Sequence, residues 1–167
     1  MDAKQCGQNI VDGLKKAGIN FVTTLPDLKV VEVIKAIDED PDIKHVSLCR
    51  EEEGIGICAG AYLTGKKTAI IMQNGGLLNS CNGLTTTCLQ FEIPILLLVY
   101  YAGDIGDRGF STVGSVTEPV LEALGIRTCI LRKTEEVVDT LRAAQILAWD
   151  SKRPVALLLT KSVLGVK

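Results

Sequence analysis

The chain has 167 residues, of which 47% are hydrophobic and only 4% aromatic; 18 Lys and Arg against 20 Asp and Glu leave a formal charge of −2. This length suits one domain of about 150 residues, and the Ile, Leu, Val and Ala bulk is that of strands buried on both faces, which excludes disorder and collagen-like repeats. With no long basic run and few rings for bases to stack on, nucleic acid is not an expected partner. In chain order, an amphipathic helix is predicted from Lys4 to Lys16 and a strand from Phe21 to Leu25, stopped by Pro26-Asp27. Asp27 is placed to cap a helix running through Val30 to Ile37. A strand at Lys44 to Leu48 leads to a small-residue helix, Glu51 to Leu63, and then to a strand at Thr68 to Gln73. The turn Asn74-Gly75-Gly76 precedes a helix from Leu77 to Leu89, and Ile95 to Tyr100 reads as the central strand. A glycine-rich charged loop, Tyr101 to Gly114, is followed by a short helix at Glu118 to Leu124 and a strand at Arg127 to Leu131. A helix from Glu135 to Trp149 and a strand at Val155 to Thr160 complete the pattern.

Six strands separated by helices imply a single doubly wound α/β domain over 1–167, with a six-stranded, mainly parallel sheet covered by helices on both faces. Ligands in such folds sit at the carboxyl ends of the strands. The ends that matter here carry Leu25-Pro26-Asp27, Cys49-Arg50-Glu51-Glu52, Gln73-Asn74-Gly75-Gly76 and Tyr101-Ala102-Gly103-Asp104. The longest apolar run, Ile93 to Ala102, is about half of the ~20 residues a membrane span needs. Met1 to Gln5 contain no apolar signal region, so a cytoplasmic home is expected, away from membranes. The six cysteines form no C-x-x-C pair and His45 is the one histidine, which supports neither a zinc site nor a disulfide framework. Packing is the expected role of the cysteines, Cys49 included, and of His45.

The segment Arg50-Glu51-Glu52-Glu53-Gly54-Ile55-Gly56-Ile57-Cys58-Ala59-Gly60-Ala61-Tyr62 is unusual. Three acids in the first turn of a helix oppose its macrodipole, an adequate role for Glu51 and Glu53. Three glycines behind them cost about 2.5 kcal/mol relative to alanine. Gly56 and Gly60, four apart, share one helix face and would admit a helix of another domain or chain, carrying one acid into a desolvated interface.

This segment resembles the pyrimidine-binding domain of thiamine-diphosphate-dependent 2-oxo acid decarboxylases, in which a glutamate ends the second strand and a Gly/Ala-rich helix closes on a tyrosine and a Gly-Lys turn. Counting back from Tyr62-Leu63-Thr64-Gly65-Lys66 places that glutamate at Glu52. The likeness extends through Leu25-Pro26-Asp27, Gln73-Asn74-Gly75-Gly76 and Glu92-Ile93-Pro94-Ile95, hence over most of the chain. It implies thiamine diphosphate as cofactor, with Glu52 as the carboxyl bonded to its aminopyrimidine ring and Pro26, Gly75 and Gly76 as further cofactor contacts. Asp27 matches a proton-relay position, with the helix cap as its alternative. Gln73 and Asn74 match positions facing the substrate, although Asn-Gly also suits a plain turn. Arg50 and Arg108 are candidates for an anionic substrate tail, and Asp104 and Asp107 lie in the same loop as Arg108.

Within that family the likeness runs to members that decarboxylate sulfopyruvate, a step toward coenzyme M, and phosphonopyruvate. Such enzymes grip the cofactor diphosphate through Mg²⁺ with a Gly-Asp-Gly motif, and this sequence has only Gly103-Asp104-Ile105-Gly106. The resemblance therefore implies a separate diphosphate-binding beta subunit that carries Mg²⁺, a small anionic 2-oxo acid as substrate, and self-association. The other class of reading is a non-catalytic doubly wound module that binds a partner or nucleotide.

Overall fold

A computed structural model describes residues 1–166. Its first helix, α1 (Ala3–Lys16), begins with a reciprocal cap: Gln5 N–H donates to Asp2 Oδ1 at 2.8 Å and Asp2 N–H to Gln5 Oε1 at 3.0 Å, which satisfies two orphan donors. The strands β1 (Phe21–Thr24), β2 (Lys44–Ser47), β3 (Thr68–Gln73), β4 (Leu96–Tyr100), β5 (Arg127–Leu131) and β6 (Val155–Leu159) form one sheet in the order β2-β1-β3-β4-β6-β5. Every pairing is parallel, with Ile70 beside Leu97 and Leu97 beside Ala156 across the centre.

Successive strand residues point to opposite faces, so the aliphatic runs feed two cores. Val22, Ile71, Leu98 and Leu157 face α1, α2 (Val31–Asp38) and α7 (Val137–Ser151). Ile70, Met72, Leu97 and Leu158 face α3 (Glu51–Leu63), α4 (Asn74–Asn79) and α6 (Ser111–Ala123). Right-handed crossovers produce this division: the chain moves outward from β1 to β2, then returns across β1 to β3, and each reversal sends the helix to the other face. The accessible surface of the described residues is 7954 Å², against roughly 8,000 Å² expected for a folded monomer of this mass.

Several boundaries differ from the sequence expectation. Asp27 does not cap α2, which starts at Val31 without any side-chain cap. The expected turn at Asn74 is already the first residue of α4, and the chain stays helical through α5 (Cys81–Gly83) into a π-helical segment, Leu84–Leu89. The break at Ser80 has a local cause, since its hydroxyl donates back to Gly76 O at 2.8 Å, a bond that bends helices. Helix α6 starts seven residues earlier than predicted, with Pro119 inside it. Proline favours a first turn; here both it and Ser115, whose carbonyl loses its helical donor, lie at the exposed surface. A 3₁₀ turn, Thr134–Glu136, precedes α7, and α8 (Lys161–Leu164) follows β6.

All six cysteines are free. Cys6, Cys58 and Cys88 are buried as expected, but Cys49 and Cys129 are exposed. His45 bridges Thr24 Oγ1 (2.8 Å) and Asp38 Oδ1 (2.5 Å). The order Thr-His-Asp is that of a hydrolase triad, yet Thr24 is fully buried, so the series ties edge strand β2 to β1 and α2.

Candidate active site

Chain direction reverses beside β1 and β3, the position where open α/β sheets receive ligands. The carboxyl ends of β2, β1 and β3 lead there to Glu52, Asp27 and Gln73 in three neighbouring connections.

Glu52 is half-buried in the first turn of α3, where Asn82 Nδ2 donates to its Oε1 at 3.2 Å. Among the described residues its other oxygen has no hydrogen-bond partner. The two flanking acids have internal tasks. Glu53 Oε2 accepts from the N–H groups of Cys49 and Arg50, each at 3.3 Å, and so caps the helix. The Glu51 carboxylate packs against Gly76, where a Cβ would collide with it. Gly76 thus makes room for Glu51. Gly75 is half-buried beside the Gln73 amide.

The helix behind Glu52 uses its glycines in two ways. Gly54 is buried, and a Cβ there would stand 2.5 Å from Ile70 and Leu48 side-chain carbons and 2.9 Å from Thr23 Oγ1. Gly56 and Gly60 have nothing within 4 Å, and Ile57 and Leu63 are exposed beside them at 38% and 76%. Gly56 is four residues after Glu52, on the same helix face.

Asp27 spends one oxygen on the Lys29 N–H (2.7 Å), forming an Asx turn, and its other oxygen accepts from Gln73 Nε2 at 3.3 Å. Pro26 and Asp27 line a shallow depression with Leu28 and Val31. Asn74, expected to face substrate, is fully buried. Its Nδ2 donates to Ala102 O at 2.8 Å and to Thr117 Oγ1 at 2.9 Å, and its Oδ1 is unpartnered. It joins α4 to α6 and the end of β4, so the substrate assignment is corrected here.

The loop after β4 is tied down by charge. Arg132 holds Asp104 through two bonds of 2.6 and 2.9 Å, and Lys161 pairs with Asp107 at 2.7 Å. Asp107 also accepts from Gly103 N–H (3.0 Å) and from Tyr100 OH (3.3 Å). The Arg132 guanidinium keeps the Asp104 carboxyl below the usual range. Burial pushes Asp107 up, but the Lys161 ammonium and the Gly103 N–H outweigh it and leave that carboxyl low. Burial, then Asp107 and Asp27, push Tyr100 up to about 12. Burial and the 2.7 Å bond to Glu118 do the same for Tyr101. Arg50 and Arg108, read as candidate anion contacts, are both exposed. The cations that the fold fixes at this edge are Arg132 and Lys161, the first basic residues after β5 and β6. Their position just past two apolar strands was the signal available for them.

The site suits an aminopyrimidine ring by the chemistry of its acceptor: one oxygen of the half-buried Glu52 carboxylate has no hydrogen-bond partner among the described residues. Among the described residues no three His, Cys, Asp or Glu side chains gather to hold a metal ion, and no helix is long and apolar enough to cross a membrane.

Comparison with known proteins identifies the family. Residues 4–106 match the family model of the thiamine pyrophosphate enzyme N-terminal TPP binding domain. A sulfopyruvate decarboxylase subunit alpha from Methanococcus maripaludis is 37% identical over 145 residues, covering 86% of this chain and 87% of that one. A sulfopyruvate decarboxylase from Methanosarcina acetivorans is 30% identical over 93% of this chain but only 40% of its own length. Among solved structures, a 2-oxoglutarate:ferredoxin oxidoreductase from Magnetococcus marinus shares the fold, with a TM-score of 0.74 at 19% identity over 95% of this chain and 29% of that one. With the family model spanning more than half of its residues and Glu52 at the head of α3, this chain belongs to the thiamine pyrophosphate enzymes, through their N-terminal TPP-binding domain.

Proposed function

We propose that the chain is one pyrimidine-binding domain acting as the alpha subunit of a thiamine-diphosphate-dependent decarboxylase that converts sulfopyruvate to sulfoacetaldehyde and CO₂. The observation that carries this reading is the half-buried Glu52 at the head of α3, with one carboxylate oxygen held by Asn82 and the other without a hydrogen-bond partner among the described residues, on a helix whose Gly56 and Gly60 are uncovered. Similarity to the Methanococcus alpha subunit over nearly its full length supports the substrate. The longer Methanosarcina relative, of which the match covers 40%, supports a second polypeptide here, a beta subunit that grips the diphosphate and Mg²⁺.

When bound, thiamine diphosphate supplies the electron sink for decarboxylation. Glu52 holds a proton at its free oxygen, toward the pyrimidine ring, while Asn82 fixes the other oxygen. Asp27, aimed by the Lys29 N–H and the Gln73 amide, carries a proton to or from the substrate at the end of β1. The sulfonate tail is a tetrahedral anion suited to guanidinium or ammonium donors at this edge, with Arg50 and Arg108 as the exposed candidates.

The test is decarboxylation by this chain co-purified with its partner, with thiamine diphosphate and Mg²⁺ present and sulfopyruvate and phosphonopyruvate supplied separately. Sulfopyruvate turnover that needs both chains and the cofactor is expected. Turnover of phosphonopyruvate alone would replace the substrate, and none from an intact, cofactor-loaded complex would overturn the decarboxylase reading.

A further inference from the structure

At the opposite edge of the sheet from Glu52, the ends of α1 and α7 and the residue before β3 enclose a cavity of about 290 Å³. Its charged lining is three cations, Lys16, Lys67 and Arg142, against one carboxylate, Asp150. None of the three cations makes an ion pair among the described residues. Lys15, one position away, shows what a structurally employed cation looks like here: it is held by Asp40 at 2.9 Å and Asp42 at 2.8 Å. Lys16 has a partial local role, as a basic residue in the last turn of α1. Arg142 lies in the middle of α7, where no helix end needs it.

The second observation is independent of charge. Gln145 lines the same cavity at only 4% exposure, and its side-chain amide makes no hydrogen bond among the described residues. Its stem is buried while the amide oxygen and nitrogen open onto the solvent of the cavity, where a ligand can reach them. Its two N–H donors beside three cationic side chains match the lone pairs of an oxyanion. Trp149 forms an adjoining wall, with Lys67 Nζ 5.4 Å from its ring centroid.

We propose that this cavity binds a small phosphate- or sulfonate-bearing anion through Arg142, Lys16, Lys67 and the Gln145 amide, separately from the proposed catalytic edge. Trp149 is the one tryptophan of the chain, so its emission reports directly on the cavity, without any assay of turnover. The full chain is titrated at constant ionic strength with inorganic pyrophosphate and, in a separate arm, methanesulfonate, with chloride as control. A saturable change in emission with a Kd of about 1 mM or tighter is expected for at least one probe; the better probe distinguishes phosphate from sulfonate chemistry. Because Arg142 and Lys16 are exposed, Arg142→Gln and Lys16→Gln retain the fold, which the free variants' circular dichroism checks. Each weakens binding, Arg142→Gln by about tenfold or more. No saturable response to either probe, an equal response to chloride, or full affinity in Arg142→Gln would overturn the site.

Discussion

Asn82 Nδ2 donates to Glu52 Oε1 at 3.2 Å, joining the short α5 to the first turn of α3. This one bond separates the two oxygens of Glu52 into an anchored one and a free one. Glu52→Gln keeps the shape and the anchored acceptor but removes the acid; its kcat with the partner chain and cofactor present is expected to fall at least about 100-fold. Asn82→Ala leaves the acid but frees its orientation, and about a tenfold loss is expected. A Glu52→Gln enzyme that keeps a third of its activity would remove Glu52 from the proposed mechanism.

Asp27→Asn isolates charge from structure in the same way. The amide oxygen still accepts from Lys29 N–H, so the Asx turn survives, and no helix cap is lost because α2 has none there. The expected result is a kcat lowered about tenfold or more, with a melting temperature within about 2 °C of the parent. A large drop in melting temperature with kcat retained would make Asp27 a structural residue.

The ion pairs on the loop after β4 give a pH dependence whose sign follows from the shifts. Asp104 and Asp107 have depressed carboxyl pKa values. Their stabilising contribution is therefore present above the unfolded carboxyl value of about 3.9 and is lost as pH falls below it. Tyr100 and Tyr101, raised to about 12, contribute fully below about pH 10 and lose that contribution as pH climbs toward their folded values. Melting temperatures between pH 5 and pH 3 should fall more steeply for the parent than for an Asp104→Asn, Asp107→Asn double variant. Parallel slopes would show that these pairs do not hold the loop.

These cases also mark what was legible in the sequence. The six strands, their alternation with helices and the acid at the head of α3 are carried by local composition and punctuation, and each appears in the fold. The start of α6 is not local: Gly103 and Gly114 pack backbone to backbone, so that a Cβ on either would collide with the other's segment, and this contact lets a helix begin at Ser111 beneath a glycine-rich loop. The burial of Asn74 likewise depends on Thr117 and Ala102, 43 and 28 residues away. Arg132 and Lys161 acquire meaning only once β6 lies beside β4 and β5 beside β6, where their carboxylate partners arrive from another connection.

The glycines of α3 look alike in sequence and differ in the fold, which yields the most discriminating prediction. At Gly54 an added methyl group meets Ile70, Leu48 and Thr23 at 2.5–2.9 Å, and overpacking of that kind costs about 1–3 kcal/mol. At Gly56 and Gly60 it meets nothing within 4 Å, and each Gly→Ala change gains about 0.8–1 kcal/mol of helix propensity. Urea unfolding of the isolated chain should therefore rank Gly54→Ala below the parent and Gly56→Ala and Gly60→Ala above it. Assembly should invert the last two. If another chain docks on this face, the added methyl groups hold it away, so both variants bind the partner more weakly although they are themselves more stable. Opposite signs in the two measurements identify the face as an interface. Variants that are stabilised and bind the partner at full affinity would move the docking surface elsewhere on the chain.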